Sequence, residues 1–136
     1  ELIFQIGTAY FGCRDEQGRF SLDRLKEQVA KAPVRAIEIK LTHSGSLAAN
    51  VMGHNVVISP TDVWQAAAQD GLKAGPANQY VTPGDARVIA HTPVIGGGDS
   101  TSVKFPGSAL TAGTAYTFYC SFPGHWALMK GDLIVE

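Results

Sequence analysis

The segment that most constrains this chain is Cys120-Ser121-Phe122-Pro123-Gly124-His125-Trp126-Ala127-Leu128-Met129. It sets a thiol, an imidazole and a thioether in one short loop, in the pattern Cys-x4-His-x3-Met. A second imidazole stands far upstream, in Met52-Gly53-His54-Asn55. If these four side chains act together, the intervening chain must be a rigid scaffold that carries His54 back to the loop. The remaining sequence reads as such a scaffold, built of strands.

With 136 residues the chain is long enough for one domain, residues 1–136, with a core that needs no staples. An apolar fraction of 45% against 17% charged suits a globular protein. The net charge of −1 advertises no nucleic acid or anionic membrane as partner. No apolar run reaches the length of a membrane span. The first residues lack the basic segment, apolar stretch and cleavage site of a signal peptide, as a mature form would, and as a cytoplasmic chain would too. Of the two cysteines, Cys13 and Cys120, the second cannot be both a metal thiolate and half of a disulfide. Cys13 is then a free thiol. A monomer is expected, with a Cys13-linked dimer as the minority case.

Residues 2–7 form a short apolar run ended by glycine and predict a first strand. Ser21 can cap a helix over Leu22 to about Lys31, which Pro33 ends. Residues 34–43 alternate, with Ile37, Ile39, Leu41 and His43 on one face. His43 continues an inward row and reads as a satisfied core histidine. Residues 44–53 are a loop presenting Leu47, Val51 and Met52, and residues 54–58 read as a buried strand. Thr61 or Asp62 can cap a helix over roughly 62–69, and residues 70–86 are a long surface excursion. His91 falls out of phase in the next strand and reads as solvated. Gly96-Gly97-Gly98 lacks the Lys-Ser/Thr and helix start of a phosphate cradle and reads as a flexible hairpin turn. Strands over 101–105, 115–120 and 131–136 complete the pattern. Tyr116 and Tyr119 suit cross-strand packing better than an electron path. Short strands separated by turns predict an all-β, Greek-key β-sandwich with one or two short helices.

Two imidazole nitrogens, one thiolate and a weak thioether are the donor set of a blue-copper site. Zinc is the main competitor but seldom takes a thioether. Imidazole serves both Cu(I) and Cu(II), the thiolate binds strongly, and a long axial thioether leaves the geometry between the preferences of the two states. Pro123 would stiffen the loop, Phe122 and Trp126 would exclude water, and Asn55, next to His54, would tie the ligand segments together. The Gly53 carbonyl can approach the metal opposite Met129 because glycine has no Cβ to obstruct it.

These residues resemble those of the azurins, small bacterial cupredoxins. Asn50-Val51-Met52-Gly53-His54-Asn55 is similar to the azurin stretch carrying the first histidine. Arg87-Val88-Ile89-Ala90-His91-Thr92 is similar to its mid-chain strand. Cys120 to His125 and Ala127 to Gly131 resemble its ligand loop, and the likeness runs from about residue 37 to 136. The resemblance implies a cupredoxin-like fold and one type 1 copper ion. His54, Cys120 and His125 would be its equatorial ligands, with Met129 and the Gly53 carbonyl as the axial pair. Asn55, Ser121, Phe122 and Pro123 would surround them. It further implies periplasmic electron shuttling to redox proteins such as c-type cytochromes or copper and haem reductases. Partners would dock by transient contact on an apolar patch around His125, formed by Leu47, Met52, Trp126 and Ala127. His43 matches the family's pH-responsive histidine.

The chain also departs from the family. Cys13 stands at neither position of the usual N-terminal disulfide, and residues 8–36 look longer than their counterpart. Val56 occupies a place where some azurins bury a tryptophan. Trp126 follows His125 where a small residue is common, and is expected to enlarge or cover the docking patch. The reading is thus an electron carrier, not an enzyme. The alternative is a module that stores or delivers copper without a redox role. A Met-rich surface would favour that alternative, but the chain has only Met52 and Met129. An oxidase or reductase would need further ligands, and His43 and His91 form no such cluster.

Overall fold

The computed structural model describes residues 2–7 and 36–135. The predicted helix over 22–31 and Cys13 lie outside the described residues. Strands β1 (Leu2–Gly7), β2 (Ala36–His43) and β5 (Ser100–Pro106) form one antiparallel sheet in the order β1-β2-β5. Strands β3 (Val57–Pro60), β4 (Ala90–His91), β6 (Ala115–Tyr119) and β7 (Lys130–Ile134) form a second, in the order β4-β3-β6-β7. The pairings β2–β5 and β3–β6 join strands distant in sequence, so the chain passes between sheets as a Greek-key sandwich requires.

The alternation in β2 sets the inner face of the first sheet. Ile39, Leu41 and His43 are buried while Lys40 is exposed. Ile39, Leu41 and Phe105 meet Val56, Ile58, Ala90, Ile95 and Tyr116 in the core between the sheets. The unbroken apolar run Val56-Val57-Ile58 is explained by covering on both sides. Val56 and Ile58 face this core, whereas Val57 faces a second cluster with Trp64, Ala68, Val81 and Tyr119. That second cluster lies beneath helix α2 (Trp64–Ala74), whose buried residues are Trp64, Ala67, Ala68 and Gly71. A single turn of helix, α1 (Ala49–Met52), precedes Gly53.

Several local expectations need correction. The strand predicted over 54–58 begins at Val57. His54 makes an isolated bridge to Ile95 instead, through His54 N to Ile95 O at 3.0 Å and Ile95 N to His54 O at 2.9 Å. Helix α2 starts at Trp64 with no side-chain cap. Thr61 spends its hydroxyl on Thr117, 3.0 Å away, and so does not serve as the cap. The helix also runs past the predicted end at 69. Gly71, a loop signal in sequence, is interior to it because the Tyr80 carbonyl oxygen sits 2.3 Å from where a Cβ would be. The excursion therefore begins only after Ala74. Gly96 and Gly97 are more than a flexible turn, since a Cβ on either would strike the backbone of residues 45–49.

Candidate metal centre

Cys120 leaves the end of β6 and is 3% exposed. The loop that follows is closed by its own backbone. His125 N donates to Phe122 O at 3.0 Å, Met129 N to His125 O at 2.7 Å, and Cys120 N to Met129 O at 3.0 Å. Gly124 takes φ of +81°, which a Cβ disfavours, so glycine permits the turn that aims His125 inward. The paired backbone bonds to Ile95 position His54. Gly53, just before it, is fixed by crowding. A Cβ there would lie 2.3 Å from the Ala49 carbonyl oxygen, 2.5 Å from Val94 and 3.0 Å from Phe122.

These constraints bring together His54, Cys120 and His125, whose donor atoms all lie within 4.8 Å of one another. Cys120 Sγ is 3.7 Å from His54 Nδ1 and 3.6 Å from His125 Nδ1. A first-row ion with metal–sulfur and metal–nitrogen bonds of about 2.3 and 2.0 Å at 120° needs a sulfur–nitrogen separation of about 3.7 Å. Both sulfur–nitrogen separations therefore match a site of two nitrogens and one sulfur around a single ion. The two imidazoles stack at 4.7 Å, and Phe122 packs on His125 at 4.8 Å. Met129 is half-buried and lines a cavity together with Cys120.

Asn55 binds the two ligand segments to each other. Its Oδ1 accepts from Ser121 N at 2.8 Å and from Ser121 Oγ at 3.2 Å. Its Nδ2 donates to Ser121 Oγ at 2.8 Å and to the Gln79 carbonyl at 3.2 Å. Backbone N–H groups of Asn55 and Phe122 point at the Cys120 sulfur and favour its thiolate, although burial outweighs them and pushes the thiol up. Burial, with His125 and then His43 nearby, lowers the His54 imidazole to about 4, and burial lowers His125 as well. Near neutrality both rings are thus in the uncharged form that ligates, and a metal need displace only the thiol proton.

Of the residues expected to form a docking patch, Leu47 and Met52 are 49% and 38% exposed and Ala127 is exposed, as is Pro123 in the ligand loop. Trp126 is half-buried, with its ring edge-on to Trp64 at 5.8 Å, so part of its surface is spent beneath helix α2. His43 is buried with both nitrogens engaged. Nδ1 accepts from Gly45 N at 3.0 Å, so Nε2 carries the proton it donates to Met52 O at 2.9 Å. His91 is exposed and stands apart from the donor group.

Sequence reasoning missed Gln79. Its carbonyl receives Asn55, and its Oε1 accepts from Val94 N at 2.7 Å. Gln79 and Tyr80 both adopt left-handed backbone, with φ of 59° and 56°. The only signal was turn composition around Gly75 and Pro76, which does not single out a glutamine.

A family model described as copper binding proteins, plastocyanin/azurin family, matches residues 25–136. The azurin of Achromobacter denitrificans is 52% identical over 109 residues, covering 80% of this chain and 73% of that protein. The azurin of Pseudomonas putida is 55% identical over 102 residues, 75% of this chain and 80% of that one. Among solved structures, the azurin Az-iso2 from the obligate methylotroph Methylomonas sp. strain J superposes with a TM-score of 0.73. It shares 45% identity and covers 79% of this chain and 81% of its own. With its sandwich and its His-Cys-His donor group, the chain belongs to the plastocyanin/azurin family of copper-binding proteins.

Proposed function

We propose that this chain is a blue-copper electron carrier that passes single electrons between redox proteins, with no substrate of its own to transform. His54, Cys120 and His125 would hold the copper, with the Met129 thioether and the Gly53 carbonyl as weaker donors. The observation that carries the reading is the spacing of Cys120 Sγ to the two Nδ1 atoms, 3.7 and 3.6 Å, held by protein bonds alone. Bound copper supplies the one-electron couple between Cu(I) and Cu(II). What the chain adds is fixed geometry. Asn55 ties Ser121 to the His54 segment, the Ile95 bridge holds the His54 backbone, and Phe122 shields His125. Donors so braced move little when the charge changes, which keeps reorganisation small. The same bracing and burial disfavour the storage or delivery reading, which calls for exposed, yielding ligands.

Partners dock where Leu47, Met52 and Ala127 present apolar surface beside the site, with the accessible part of Trp126 at its margin. Such a surface suits brief contacts with c-type cytochromes or copper and haem reductases. The setting is the periplasm, as the family resemblance implies; among the described residues no helix is long and apolar enough to cross a membrane. Adding one equivalent of Cu(II) to the metal-free protein is expected to give an intense blue absorption from thiolate-to-copper charge transfer, lost in Cys120→Ser. A colourless cupric protein would overturn the proposal.

A further inference from the structure

Behind the two sulfur-bearing residues lies a cavity of about 160 Å³, walled by Asn55, Val56, Phe118, Tyr119, Cys120 and Met129. Neither His54 nor His125 lines it, so it is distinct from the space between the three donor atoms. Leu128, 89% exposed, and the exposed Lys130 stand at its mouth, and buried Val56 belongs to its inner wall.

We infer that this cavity is a binding site for one small uncharged aromatic molecule of the size of benzene. Its volume is close to that of an engineered apolar cavity of about 150 Å³ that takes up benzene, with the difference that this one opens to solvent beside Leu128 and Lys130. The lining offers little to water or to an ion. Both Asn55 hydrogens and both faces of its oxygen are committed to Ser121 and Gln79. The Tyr119 hydroxyl lies 3.4 Å from Ser59 Oγ, and the Cys120 sulfur faces the two imidazoles. Among the described residues the only buried side-chain polar atom without a partner is Thr82 Oγ1, which is not part of this wall. What remains on the wall is aliphatic, aromatic and thioether surface, which a flat apolar ring covers well. Lys130 does not convert the site into an anion receptor, because its Nζ sits over the Trp64 ring at 5.0 Å. An occupant would touch Met129 and Leu128 and so stiffen the segment that carries the thioether.

The test titrates benzene, and separately benzoate, into the full-length Cu(I)-loaded protein and follows methyl resonances of Val56, Leu128 and Met129. Saturable shifts with benzene and none with benzoate are expected. Val56→Phe, which fills the cavity, is expected to weaken benzene binding at least tenfold, with Val56→Leu as a milder filling should the larger ring prevent folding. A crystal of the unsubstituted protein grown with benzene should show the ring between Val56 and Met129. Absence of saturable shifts up to the solubility of benzene, equal binding of benzoate, or unchanged affinity in the filled variant would each overturn the inference.

Discussion

Replacing Asn55 by alanine removes the brace between the ligand segments without touching a ligand. Three of the four side-chain bonds of Asn55 go to Ser121, and the fourth goes to the Gln79 carbonyl. Asn55 and Ser121 are 2% and 1% exposed, so water does not replace what is lost. The Ser121 N–H becomes a buried orphan, and the Gln79 carbonyl keeps only the longer contact from Ser121 Oγ at 3.4 Å. At about 1–3 kcal/mol for each unsatisfied buried group, the expected loss for the metal-free protein is about 3 kcal/mol. For a domain of this size that lowers Tm by roughly 10 °C. Urea denaturation of Asn55→Ala, Ser121→Ala and the double variant resolves the parts. Ser121→Ala keeps the backbone bond to Oδ1 and should cost only about 1 kcal/mol. The double variant should be more stable than the sum predicts by about 1 kcal/mol, because the bonds between the Ser121 hydroxyl and Asn55 are lost by either substitution and the hydroxyl then keeps only its 3.4 Å contact to the Gln79 carbonyl. Copper should also leave Asn55→Ala faster. A loss below about 1 kcal/mol, together with strict additivity, would refute the brace.

Three further outcomes are expected. Gly53→Ala must push aside the Ala49 carbonyl, Val94 or Phe122, and should cost about 1–3 kcal/mol while weakening copper binding; a fully stable variant with native colour would show the crowding is imaginary. Gly71→Ala should destabilise, although alanine is favoured by about 1 kcal/mol inside an exposed helix, because its Cβ meets the Tyr80 carbonyl at 2.3 Å; a rise in Tm would contradict this. Metal-free protein should lose stability as pH falls from 6.5 towards 4. There the unfolded chain protonates a histidine that His54, lowered to about 4, leaves uncharged in the fold, and His125 acts in the same direction. The slope should shrink in His54→Gln, and a stability curve equally steep in both proteins would remove His54 as its source.

Much of the centre was legible because its chemistry is local. Cys120, His125 and Met129 share one loop, and β2 declares its buried face by strict alternation through Ile39, Leu41 and His43. The second sheet was harder to read, since Val57 is covered by α2 and the period of two is masked by burial on both sides. The length of α2 was hidden for a related reason. Asp70 and Gly71 look like turn residues. In the fold Asp70 pairs with Lys73 and Arg87 at 2.8 Å each, and Gly71 makes room for the Tyr80 backbone. The cap at Thr61 was misread because a hydroxyl that can serve a helix end can equally serve a neighbouring strand. Such choices are settled by tertiary partners, which propensity does not contain.

The third anchor of the brace is a main-chain oxygen, that of Gln79. Side-chain drift at this position therefore leaves that bond intact, provided the turn keeps its left-handed path. Shortening or lengthening the stretch between 75 and 87 would displace the oxygen. The redox centre would then be retuned from a surface turn, with every donor atom still in place.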